Sequence, residues 1–155
     1  MERNELVYAG FWSRVGATVI DVLLIMAITS PLLTVIYGPE YWVSSDFVAG
    51  LADFLLSWVF PTVAVIVFWQ KCQATPGKMA ISAKIVDAQS GEKPSLGRLI
   101  WRYFAYFVAV APLMVGIIWV AFDPKKQGWH DKLAGTVVVR RANSNPEPVR
   151  FERAR

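Results

Sequence analysis

Three long apolar stretches constrain what this sequence can fold into: residues 15–36, broken only by Asp21; residues 48–69, broken only by Asp53; and residues 99–122, broken only by Arg102. Each reaches the roughly 20 residues that a helix needs to cross the hydrocarbon core of a bilayer. A soluble helix of such length would show a polar face recurring every three or four residues, and these do not. The composition agrees, with 55% of the 155 residues hydrophobic and only 18% charged, and a mean hydropathy of +0.39. That is too apolar for a soluble domain of this size. The first stretch starts too far into the chain, and lacks the small-residue cleavage pattern, to read as a removed signal peptide; a retained anchor is expected.

The sixteen Lys and Arg residues lie before the first stretch, between the second and third, at Arg102 near the start of the third, and after the third. The connection YGPEYWVSSDF, residues 37–47, has none; it carries Glu40 and Asp46 with the interfacial aromatics Tyr41 and Trp42. Basic residues mark the cytoplasmic side of a membrane. The N-terminus and the basic middle loop are therefore expected on the cytoplasmic face of an inner membrane. The pI near 9.4 is then a topology signal, and no nucleic-acid partner is expected.

A third full crossing would carry the basic residues after position 122 to the outside, against the same rule. Pro112 sits inside the third stretch, where it removes a backbone donor, and Gly116 follows one turn later. The favoured reading is a re-entrant hairpin with residues 99–111 entering and 113–122 returning, its bend covered by protein. A plain third span with an outer tail is the alternative. In the middle loop, Thr75-Pro76-Gly77-Lys78 reads as a turn, ISAKIV (residues 81–86) as a strand, and QSGE (residues 89–92) as a second turn. The run TVVV (residues 136–139) can pair with that strand if both lie on one side of the membrane. The expected class is an all-α integral membrane protein with a small cytoplasmic β-ribbon, built as a membrane domain over residues 1–141 and a mobile basic tail over 142–155.

Asp21 lies about 10 Å below the cytoplasmic edge of its helix, where an aspartate costs about 2.5–3.5 kcal/mol on insertion scales. It needs a partner, a water cavity or a function. Arg14, two turns earlier on the same face, is a long reach; Arg98 and Arg102, opening the third stretch, are the expected partners, with interfacial anchoring as the alternative and the favoured one for Arg98. Asp53 is expected near the outer end of the second helix, roughly 10 Å from Asp21 in depth, as a separate station or a headgroup anchor. In FDPKKQGWHDKLAGT, residues 122–136, His130 and Asp131 set a titratable imidazole beside a carboxylate at the membrane surface. His130 is the one histidine and Cys72 the one cysteine, which excludes a multi-histidine metal site and an intramolecular disulfide. No GxSxG nucleophile motif is present, and TPGK lacks the upstream glycine of a phosphate loop. Neither enzymatic activity nor a cofactor is expected.

Taken together, Arg14 entering the first helix, Asp21 within it, TPGKMAISAKIVDAQSG, RLIWRY and WHDKLAGTVVV resemble the RDD family of small prokaryotic membrane proteins, named for one arginine and two aspartates. The resemblance covers residues 8–141. It lays the arginine on Arg14, the first aspartate on Asp21 and the second on Asp131, with Asp53 as the other carboxylate on offer. It implies a membrane domain for which transport is among the proposed activities, cation–proton exchange in some members. On that reading Asp21 is an ion or proton site, Arg14 or Arg102 biases its charge, Asp131 and His130 form the cytoplasmic entrance, and the chain works as a homo-oligomer moving a small cation or solute. The competing reading is a non-transporting scaffold or regulatory module in which the same residues form a structural polar cluster.

Overall fold

A computed structural model describes residues 6–141; the tail expected over 142–155 lies outside them. The chain runs β1 (Leu6–Tyr8), α1 (Phe11–Tyr37), a 3-10 turn (Pro39–Val43), α2 (Leu51–Cys72), α3 (Pro76–Ala80), β2 (Ala83–Asp87), α4 (Leu96–Val110), α5 (Val115–Ala121), α6 (Trp129–Ala134) and β3 (Thr136–Arg141).

α1 and α2 are long and apolar enough to cross a membrane, and most of their side chains face outward. At about 1.5 Å per residue, α1 alone extends about 40 Å. It ends where Gly38 takes a φ of 81° and Pro39 follows, a conformation that glycine allows and a residue that cannot continue a helix. α2 widens to a π turn over Leu55–Val59, just before Pro61. Proline lacks the amide that would close the preceding α turn, which is where such a widening is accommodated.

The third apolar stretch does not form one helix. α4 and α5 meet at 113°, with Ala111–Met114 between them and positive φ angles at Leu113 and Met114. Pro112 is the cause expected from the sequence. Closure depends on small residues as well, since a Cβ on Gly116 would stand 2.7 Å from the Cα of Ala109.

The expected ribbon is a three-stranded antiparallel sheet in the order β1-β3-β2. Ala83 pairs with Arg140 and Asp87 with Thr136 along β2–β3, while Leu6 pairs with Arg141 and Tyr8 with Val139 along β1–β3. The strand expected over residues 81–86 thus starts and ends later, and β1 joins as an unforeseen third strand. Ile85 and Val138 of the sheet pack on Ala9, Trp69 at the end of α2, and Leu99 of α4, forming the buried core. The TPGK turn is also corrected: Thr75 takes the extended conformation that precedes a helix, Pro76 fills its first position, and α3 follows. Proline is favoured there because its missing amide has no intrahelical partner to lose.

Candidate functional site

Asp131 stands at the centre of a buried polar cluster. It is the third residue of α6, from which its carboxylate reaches back to the Gly128 amide at 3.1 Å. Arg14 Nη1 donates to Asp131 Oδ2 at 2.5 Å, and Arg102 Nη2 stands 2.6 Å from Oδ1. Arg14 completes its fork with Nε on the Ala9 carbonyl at 3.0 Å and Nη2 on the Lys126 carbonyl at 2.6 Å. The start of α1 is thereby tied to the loop before α6. Arg102 is wholly buried, with its guanidinium 5.1 Å from the Trp69 ring centre and Nη1 donating to Thr136 Oγ1 at 3.3 Å. A weakly hydrated, planar cation suits such a site better than an ammonium would.

Burial alone would raise the Asp131 pKa, but the Arg102 and Arg14 guanidinium groups hold the carboxyl well below its usual range. His130 behaves in the opposite way. Its ring stacks on Tyr106 with centroids 3.8 Å apart, and burial pushes its pKa down to about 3 against the pull of Asp131. Burial thus favours the neutral imidazole, and among the described residues neither ring nitrogen has a hydrogen-bond partner, Nε2 lying 3.5 Å from Asp131 Oδ2. Nearby, burial would likewise raise Asp123, but Lys132 at 2.5 Å and the Gln127 and Lys125 amides lower it.

Asp21 does not meet Arg98 or Arg102. Thr75 Oγ1 donates to its Oδ2 at 2.5 Å and the Gly77 amide to its Oδ1 at 2.7 Å. α3 crosses α1 so tightly at this point that a Cβ on Gly77 would lie 1.9 Å from the Ala17 carbonyl oxygen. The expected partners are engaged elsewhere, Arg102 with Asp131 and Arg98 with Asp87. Nor is the His130–Asp131 pair a surface entrance, since the two are 2% and 0% exposed. Asp53 has partners of its own, accepting from Tyr41 Oη at 2.8 Å, Ser57 Oγ at 2.6 Å and the Ala49 amide at 2.9 Å.

The structure adds to the site Thr75, Gly77 and Lys78, which the sequence reading took only as a turn, and Trp69 and Tyr106, to which it gave no site role. Lys78 is 7% exposed, forms no ion pair among the described residues, and reaches only Thr75 Oγ1 at 3.4 Å. Burial lowers its pKa. A cavity of about 550 Å³ lies against Arg14, Lys78, Tyr106 and His130 at one end and against apolar side chains of α1 and α5 elsewhere. A smaller one of about 190 Å³ borders Asp21 and is otherwise lined mainly by apolar groups such as Ile25, Phe60 and Phe68.

Among known proteins, the chain is 31% identical to "Uncharacterized protein YxaI" of Bacillus subtilis (strain 168), across 84% of this chain and 96% of that protein. It is 31% identical to "Uncharacterized membrane protein YteJ" of the same organism, across 90% and 92%. A 75-residue segment is 41% identical to "Uncharacterized protein RP437" of Rickettsia prowazekii (strain Madrid E), covering 48% of this chain and 41% of that protein. No solved structure matches significantly. The profile of the RDD family matches residues 8–135, a range that takes in the cluster of Arg14, Arg102 and Asp131 and the Asp21 latch alike, and the chain belongs to that family.

Proposed function

We propose that this protein is a non-enzymatic scaffold or regulatory module of a cytoplasmic membrane, and that its Arg/Asp signature is a structural lock. The observation that carries the reading is the engagement of both signature carboxylates. Asp21 holds α3 on α1, and Asp131 holds the start of α1, α4 and α6 on one another, with each carboxylate oxygen facing a donor or cation of the chain. A cation–proton exchange site at Asp21 would have to break two short hydrogen bonds at each turnover, beside a cavity that offers few polar groups. As for enzymatic chemistry, the His130 imidazole stacks on Tyr106 and, among the described residues, hydrogen-bonds to no hydroxyl or thiol.

In this reading α4 and α5 form a re-entrant hairpin. β3 pairs with both β1 and β2, which supports one membrane side for all three strands. Two spans between β1 and β2 return the chain to that side, so the segment between β2 and β3 enters and returns as well. The basic residues of the middle loop and the acidic connection over 37–47 support the cytoplasm as that side.

The test is a reconstituted vesicle with a pH dye inside. Wild-type protein is expected to move no more protons than empty vesicles when Na⁺, K⁺ or Li⁺ is added. A cation-driven pH change that Asp21→Asn abolishes in folded protein overturns the structural reading in favour of exchange.

A further inference from the structure

We infer that the cavity beside the cluster binds a single-chain amphiphile by its anionic head, with Lys78 as counter-ion, His130 as hydrogen-bond donor, and the tail against the apolar walls from α1 and α5. Its volume of about 550 Å³ falls within the ~300–1,000 Å³ usual for small-ligand sites. Its lining is chemically divided. Lys78 and Arg14 lie within electrostatic reach of His130 and form its polar end, whereas Val15, Val19, Ile117 and Ile118 supply apolar wall.

The charge at the polar end is unbalanced. Arg14, Arg102 and Lys78 oppose Asp21 and Asp131. Each Arg14 side-chain nitrogen already donates, and Arg102 is committed to Asp131 and Thr136. Lys78 is the remaining cation, buried with three donors and one long hydrogen bond. An ammonium taken out of water without an anion is costly, and an incoming oxyanion relieves that cost. His130 adds the second observation, a buried imidazole on the cavity wall whose nitrogens have no hydrogen-bond partner among the described residues, with Asp131 Oδ2 at 3.5 Å from Nε2. One of them carries a proton that the same oxyanion can accept. Two donors at one end and an apolar remainder match an anionic head on a hydrocarbon chain. A metal cation is repelled by this charge, and a neutral lipid leaves Lys78 unpaired. α1 and α5 expose apolar side chains around the opening, so the ligand can enter from the bilayer.

The protein is tested in phosphatidylcholine nanodiscs with spin-labelled stearate, reading the immobilised fraction by electron paramagnetic resonance. The expected result is one immobilised molecule per protein, displaced by dodecyl phosphate and not by dodecanol or inorganic phosphate. Lys78→Met is expected to weaken binding about tenfold, while Lys78→Arg retains it. Ile117→Trp, which fills the cavity and keeps the cations, is expected to abolish it, and thermal unfolding verifies that each variant is folded. The proposal is overturned if wild type immobilises no more label than empty nanodiscs, or if folded Ile117→Trp binds as wild type does. Displacement by inorganic phosphate as effective as by dodecyl phosphate removes the tail from the argument, and displacement by dodecanol removes the charge; either result overturns it.

Discussion

His130 allows the burial of the cluster to be tested at one atom, because the chain has a single histidine. In the folded protein burial pushes its pKa down to about 3, and the Arg102, Arg14 and Lys78 charges act in the same direction against Asp131. In the unfolded chain it titrates near 6.5. Above about pH 6.5 the ring is neutral in both states and contributes nothing to pH dependence. As the pH falls below that value, the unfolded chain binds a proton that the folded chain refuses, and stability drops by about 1.4 kcal/mol per pH unit. Across the window down to about 3, the loss from this one group totals about 4–5 kcal/mol. The assay follows the Cε1 resonance of ¹³C-histidine-labelled protein in detergent from pH 8 to 4, with reversible unfolding by sodium dodecyl sulfate at each pH. The resonance is expected to stay at its neutral position while the protein remains folded. His130→Gln is expected to remove about one proton from the pH dependence of unfolding. A folded-state titration with a midpoint near 6.5, or an unchanged slope in the variant, would refute the reasoning.

Three further outcomes are expected. Asp131→Asn leaves the wholly buried Arg102 without its counter-charge and is expected to destabilise the protein by about 3–5 kcal/mol in the same unfolding assay; a loss below 1 kcal/mol contradicts the lock. Gly77→Ala brings a methyl against the Ala17 carbonyl and should cost about 3 kcal/mol, with hydrogen exchange rising in α3 more than in the sheet; equal protection of α3 in variant and wild type is the contrary result. In a Cys72→Ser background, Gln89→Cys and Lys125→Cys are expected to react with an impermeant thiol reagent from the same side of the membrane and Glu40→Cys from the other. Opposite-side labelling at 89 and 125 rules out the re-entrant hairpin.

The membrane elements were readable from the sequence because burial in lipid imposes a crude requirement, about 20 apolar residues in a row. Pro112 and the basic residues beyond it were enough to anticipate a break in the third stretch, and the chain bends there by 113°. The polar partners were harder. Reasoning from depth along straight helices set Arg102 against Asp21, but the loop ahead of α6 carries Asp131 back to Arg14 and Arg102. Depth alone has no term for a returning loop. The true partners of Asp21 include a backbone amide, which no side-chain letter announces. The signal that could have found it was Thr-Pro-Gly, an N-terminal helix signature with a glycine that permits close approach. β1 was missed because LVY is too short to show alternation, and only its pairing with β3 makes it a strand.

The order of the sheet has a consequence for how the protein is made. β3 is last of the three strands in the sequence yet lies in the middle of the sheet. While the ribosome is still upstream of Thr136, β1 and β2 have nothing between them, and both spans emerge before the strand that joins their ends. Long-range pairings of this kind form slowly because the intervening chain must first be ordered. Formation of the two long apolar helices and completion of the sheet are therefore separate events in the synthesis of the chain. In between, β1 and β2 have bare edges that only β3 can pair, and unpaired edges are where a nascent chain is open to wrong pairing.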